Sequence, residues 1–234
     1  MRITFISDTH TKHEQITRDL PGGDLLIHAG DIMNSGYSAN DVISFARWFD
    51  SIDNYNHKVF IAGNHDRMFQ LNAEGTLEIV SSYKTIEYLQ DSWMSYVTEN
   101  AQEMCKIYGS PWQPEFHNWA FNLPKGGKEL QEKWSAIPTD TDILITHGPA
   151  QGHLDTSGPP YNEPNLGCSV LRNHIDTVAR PKIHVCGHIH GGYGYKFDGQ
   201  THYINASVLD ERYQYVNKPM TVNWNPNTNE LSFI

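Results

Sequence analysis

Five short apolar runs, Ile3 to Ile6, Leu25 to His28, Val59 to Ala62, Ile143 to Thr146 and Ile183 to Cys186, constrain this chain most, because each breaks off at once into glycine and polar residues. Runs of that length and bounding read as buried strands. Amphipathic stretches lie between them. Ser38 to Ile52 sets Val42, Phe45, Ala46 and Phe49 on one helical face behind an N-cap at Ser38 or Asn40. Cys168 to Val178 repeats that spacing with Val170, Leu171, Ile175 and Val178 and stops before Pro181, and Gly127 to Ser135 fits a shorter helix. Towards the C-terminus, Tyr193 to Phe197, His202 to Ala206, Met220 to Trp224 and Leu231 to Phe233 read as antiparallel strands around Asp198-Gly199 and Asn225-Pro226 turns. The order predicts an α/β fold. No linker-like stretch interrupts it, so residues 1–234 read as a single domain, with 69–98 the least legible span and 109–124 a long ordered loop.

The clusters that end the five runs are, in turn, Asp8-Thr9-His10, Gly30-Asp31, Gly63-Asn64-His65-Asp66, His147-Gly148-Pro149 and Gly187-His188-Ile189-His190. Taken singly, several have plain readings: Asp-x-His suits a turn or helix cap, Gly-Asp a turn, and His147 a strand end. Taken together they converge, since loops at the carboxyl ends of strands in an open α/β sheet meet at one crevice. Alternation along an extended Gly187-His190 segment points His188 and His190 the same way. Imidazole, carboxylate and amide oxygen suit Mn²⁺, Fe²⁺, Zn²⁺ and similar ions, and the lack of thiolate argues against a structural zinc site. Two such cations roughly 3.5–4 Å apart can acidify a shared water and clamp the attacking and leaving oxygens of an in-line displacement.

The ordered set D-x-H, G-D, G-N-H-D, H-G and G-H-x-H resembles the calcineurin-like metallophosphoesterase superfamily. Tyr108 to Trp112, Phe121 to Pro124, Thr141 to Leu144, Thr146 to Pro149, Arg180 to His184 and Tyr203 to Ser207 look like its metallophosphoesterase domain-containing subgroup. The resemblance covers nearly the whole chain and is weakest over 69–96 and after Asp210. It implies a four-layer αββα sandwich with a dimetal site at the strand carboxyl ends, and a phosphodiesterase activity that extends to cyclic nucleotides. Carried over residue by residue, it gives the first cation to Asp8, His10 and His190 and the second to Asn64, His147 and His188, with Asp31 bridging. Mn²⁺ leads Fe²⁺, Zn²⁺ and Mg²⁺ as the expected metal. Some subgroup members carry glycine at the position of His188; this chain keeps the histidine, which implies two occupied sites. His65 is not a ligand in that pattern, which frees its imidazole to stabilise developing charge or protonate the leaving oxygen, with Asp66 to orient the ring or simply to cap a helix. Purple-type phosphatases differ in using a tyrosine ligand near the second motif.

Charge narrows the partner. With 17 Lys+Arg against 27 Asp+Glu the net charge is −10, and no Lys/Arg-rich run offers a footprint for nucleic acid. A small-molecule phosphodiester is the expected substrate; a nuclease and a non-catalytic metal-binding scaffold are the alternatives. Three scattered cysteines, Cys105, Cys168 and Cys186, suit a reducing compartment, and the start of the chain has no secretory pattern, so the expectation is cytoplasmic and without a membrane. His13 and His153, on loops after metal motifs, are candidates to face substrate. The remaining histidines, His28, His57, His117, His174, His184 and His202, read as structural. Trp112, Phe116, Trp119 and Tyr161 could stack on a nucleobase, though packing is the commoner use of such residues.

Overall fold

Alternation of side chains at period two turns the apolar runs into two sheets that share one interior. The computed structural model describes residues 1–98 and 102–234. In chain order its strands are β1 (Arg2–Ile6), β2 (Gly23–His28), β3 (Tyr55–Phe60), β4 (Ile86–Tyr88), β5 (Ser92–Val97), β6 (Met104–Ser110), β7 (Gln113–Pro114), β8 (Asn122–Leu123), β9 (Ile143–Thr146), β10 (Ile183–Cys186), β11 (Gly194–Phe197), β12 (His202–Asn205), β13 (Met220–Trp224) and β14 (Leu231–Phe233). The helices are α1 (Ala39–Ser51), α2 (Met68–Leu71), α3 (Ala73–Ser81), α4 (Lys128–Ser135) and α5 (Ser169–His174).

One sheet runs β14-β13-β1-β2-β3-β4 and the other β11-β12-β10-β9-β6-β5. Both are mixed. The neighbouring strands β1, β2, β3 and β4 are parallel in the first, as are β6, β9, β10 and β12 in the second, while β13, β14, β11 and β5 join antiparallel at the flanks. Ile3, Phe5, Leu25, Ile27 and Val59 from the first sheet pack against Ile107, Ile143, Ile145, Val185 and Ile204 from the second. The opposite faces are covered by helices. Ile6, Leu26 and Phe60 meet Val42, Phe45 and Phe49 of α1 and Val80 of α3, and Tyr108, Leu144 and Tyr203 meet Leu130 and Trp134 of α4 and Leu171 of α5. The four-layer αββα sandwich expected from the resemblance is therefore the observed architecture.

Local chemistry sets the element ends. The Ser38 Oγ accepts a hydrogen bond from Asp41 N at 3.3 Å and caps α1 as the sequence suggests. The helix from Ser169 does not keep its predicted face: it widens into a π-turn over Ile175–Ala179, so Ala179 is buried and Val178 turns outward. The C-terminal runs form two hairpins in different sheets, and β12 also lies parallel to β10, so they are not one antiparallel block. The 109–124 span carries a two-residue parallel ladder, β7 with β8, that stiffens it. No described helix is long and apolar enough to cross a membrane.

Candidate metal centre

Every predicted cluster sits at the carboxyl end of its strand, and an isolated bridge between Ser7 and Ser207 joins the ends of β1 and β12 across the two sheets. This brings Asp8, His10, Asp31 and Asn64 from one sheet against His147, His188 and His190 from the other. Asp8, His10 and His190 offer ligand atoms within 4.8 Å of one another, as do Asp8, Asp31 and His147, and also His10, Asp31 and His65. Asp31 lies between imidazoles: its Oδ2 is 3.3 Å from His147 Nε2 and 3.7 Å from His10 Nε2. His190 Nε2 stands 3.4 Å from Asp8 Oδ1, and His147 Nε2 is 2.9 Å from Asn64 Oδ1. The ring of His188 lies 5.1 Å from that of His147, and both His188 and Asn64 line the same cavity of about 270 Å³.

The backbone fixes which nitrogen faces inward. The Nδ1 of His10 is 2.9 Å from Met33 O, that of His147 2.9 Å from Ala29 O, and that of His190 2.9 Å from Asp210 O. A carbonyl only accepts, so each Nδ1 carries the proton and each Nε2 turns its lone pair to the centre, the arrangement in which histidine ligates a metal. Lone pairs and carboxylate oxygens thus face each other, and the buried His10 Nε2 has no hydrogen-bond partner. Such a donor set fits divalent cations. Without one, protons serve: burial would lower both His147 and His190, but the carboxylates beside them, Asp31 and Asp8, push both up to about 9. Burial would likewise raise Asp8, yet its hydrogen bond and charge interaction with His190 hold it well below the usual carboxylate range.

Close approach at the strand ends depends on glycine. A Cβ at Gly63 would stand 2.6 Å from Asp31 N and 2.7 Å from His147 Cε1, and one at Gly187 would overlap Asp8 Oδ2 and Ser7 Oγ. Four of the predicted ligand residues have a strained backbone: Asp8, His10, Asp31 and His188 have φ of 55°, 40°, 59° and 66°, a left-handed conformation rare outside glycine.

His65 flanks this centre. Its Nδ1 lies 2.5 Å from Asn34 O, its backbone N–H donates to Asp31 Oδ1 at 2.7 Å, and its ring stacks on Trp119 at 4.1 Å. Asp66 does not orient that ring, contrary to the first of its two sequence readings, nor does it cap a helix. Its carboxylate instead accepts hydrogen bonds from the backbone N–H groups of Asp31, Ile32, Met33 and Gly63, which shapes the loop carrying Asp31. Burial and the charge of Asp31 push Asp66 up to about 8, against the pull of its bonds from Met33 and Gly63.

Other candidates fall elsewhere. His13 is buried beside Trp48 and Phe45, and His153 stacks on Tyr203 with Arg172 donating to its Nε2, so neither lines the cavity. His117, expected to be structural, lines it together with Phe116, Trp119, Glu211 and Tyr213. Glu211 and Tyr213 escape the sequence reading. Tyr213 packs its ring 4.7 Å from that of His10 and 5.4 Å from that of His190, yet it lies in an irregular segment where no periodic signal could mark it.

Known proteins share the sequence pattern and the fold. The family model described as "Calcineurin-like phosphoesterase" matches residues 1–192. Human metallophosphoesterase domain-containing protein 1 is 40% identical over an alignment that covers 94% of this chain and 70% of that protein. The protein TT1561 of Thermus thermophilus shares the fold with a TM-score of 0.64 at 13% identity, covering 99% of this chain and 97% of that one. The phosphopantetheinyl hydrolase PptH of Mycobacterium tuberculosis does so with a TM-score of 0.60 at 14% identity over 90% of each chain. By the family match, the close relative and the cluster of inward-facing imidazoles and carboxylates, the chain belongs to the calcineurin-like metallophosphoesterases.

Proposed function

We propose that this protein hydrolyses phosphodiesters, cyclic nucleotides among them, with two divalent cations, Mn²⁺ foremost. Asp8, His10 and His190 would hold one and Asn64, His147 and His188 the other, with Asp31 shared. The observation that carries this reading is the placing of His10 Nε2 and His147 Nε2 on either side of one Asp31 oxygen, at 3.7 and 3.3 Å. When bound, a cation pair supplies positive charge that polarises the phosphoryl group and acidifies water. The chain's own residues do the rest. Asp66 fixes the loop of Asp31 through backbone N–H groups, and Ser207 Oγ donates to Asp8 Oδ2 at 2.8 Å, so the carboxylates are held in place before substrate arrives. His65, with Nδ1 donating to Asn34 O, leaves Nε2 as the nitrogen that would take up a proton and pass it to the leaving oxygen. The acidic balance of the chain and the small cavity favour a small-molecule substrate over nucleic acid.

The test is metal-stripped protein reconstituted with Mn²⁺, Mg²⁺, Zn²⁺ or Fe²⁺ and assayed in parallel on cyclic nucleotides, linear diesters and monoesters. Diester turnover that Asp31→Asn abolishes is the expected result. Turnover confined to monoesters would remove the diester assignment, and no turnover with any of the metals would leave a metal-binding scaffold.

A further inference from the structure

A second, larger cavity of about 500 Å³ opens beside the metal centre and shares His188, Phe116 and Glu211 with it. Its walls combine the aromatic rings of Phe116 and Tyr161 with the apolar Pro114, Leu166 and Ile189. Its polar side chains are mostly acceptors: Glu115, Glu163 and Glu211 against one cation, Lys125. Such a lining disfavours a second phosphate and suits an organic group with hydrogen-bond donors.

Gln113 makes the preference specific. It lines this cavity, is 1% exposed, and its Oε1 has no hydrogen-bond partner. The orientation of the amide follows from its neighbours. Asn122 Nδ2 donates to two carbonyls, Phe116 O at 3.1 Å and His117 O at 2.9 Å, and carbonyls only accept. Asn122 Oδ1 must then face Gln113 and receive its Nε2–H at 3.2 Å, which leaves Gln113 Oε1 on the other side as an acceptor without a donor. A buried acceptor in that condition costs free energy unless something pairs with it. The backbone that carries this side chain is held by the bond from Gln113 N to Phe121 O at 3.0 Å beside the β7–β8 ladder, and the amide itself is held by its bond to Asn122. It also stands next to the metal site: a Cβ on Gly148 would be 3.5 Å from Gln113 Cβ and 4.0 Å from His188 Cδ2.

We propose that Gln113 Oε1 is a specificity determinant: for the nucleotide substrates proposed above, it accepts an N–H from an amino group on the base, in the groove that Phe116 and Tyr161 line. The assignment rests on the phosphodiester reading above for its substrate, but its geometry does not depend on turnover. A site built to pair with a donor discriminates strongly against an analogue that lacks it, because the buried acceptor is then left alone.

The experiment compares adenosine 5′-monophosphate with purine riboside 5′-monophosphate, identical except for the missing amino group, by calorimetric titration of the full chain with and without Mn²⁺. The amino compound should bind at least about tenfold more tightly, and Gln113→Met should bring the ratio close to one. Equal affinities in the unaltered protein, or a preference that survives Gln113→Met, would overturn the assignment. Equal affinities in the unaltered protein overturn the assignment even if Gln113→Met fails to fold, and Gln113→Leu is then the variant that tests the residue. A chain that hydrolyses no diester yet keeps the preference would lose the proposed activity and retain the role of Gln113; diester turnover without preference would do the reverse.

Discussion

Imidazole orientation at this centre is decided one residue at a time by backbone carbonyls, and the same device governs His65, whose Nδ1 faces Asn34 O while Trp119 supports its ring. His65→Ala removes no atom that the proposed ligand set needs. The variant should keep its metal content by elemental analysis and lose about 10²–10⁴-fold in turnover, the usual worth of positioned proton transfer; equal turnover at matched metal would deny the role. The residue types of this site are legible in the sequence because each follows a buried run directly. The role of Asp66 is not, because its neighbour in sequence, His65, is not its partner in space: strand-end turns send adjacent side chains in different directions. Gln113 and Tyr213 give no signal, since an amide in a Pro- and Trp-rich span and a tyrosine in an irregular segment are ordinary until the fold places them.

At the level of elements, the strands that lead into the site are the most legible, because burial on both faces demands unbroken apolar runs. The 69–98 span is obscure for the opposite reason. In it α2 has four residues, α3 buries only Thr76 and Val80, and β5 is a sheet-edge strand whose Trp93 and Val97 face outward. Helix α1 is readable down to its cap. Ser38→Ala should cost about 1 kcal/mol in urea denaturation, the normal value of an N-cap, with the metal site unaffected since α1 supplies no ligand. A loss of metal affinity equal to that of a ligand variant would show that α1 controls the loops more tightly than its packing suggests.

For the molecule as a whole, acid should act through histidines that fold in the neutral state. His184, on β10, donates from Nε2 to Thr146 Oγ1 at 2.7 Å, because that hydroxyl gives its own proton to Gly148 O, and burial pulls the ring from 6.5 down to about 3. The folded value lies below the unfolded one, so the unfolded chain takes up the proton first as pH falls. The contribution of His184 is therefore intact above about pH 6.5 and is lost on descending toward 3, and the loss should reach about 2 kcal/mol by pH 5. Denaturant titrations at pH 7 and pH 5 should show a steeper acid loss in the native chain than in His184→Gln; parallel losses would place the acid sensitivity elsewhere. The two sheets have a further relation. Three of the proposed ligands arrive from the second sheet and four from the first, so neither half of the polypeptide could retain the ions unaided. Bound ions would act as a rivet at one rim of the sandwich, and chelation should speed amide exchange first at the strand ends that carry Asp8, Asp31, His147 and His188, while the apolar core between the sheets stays closed.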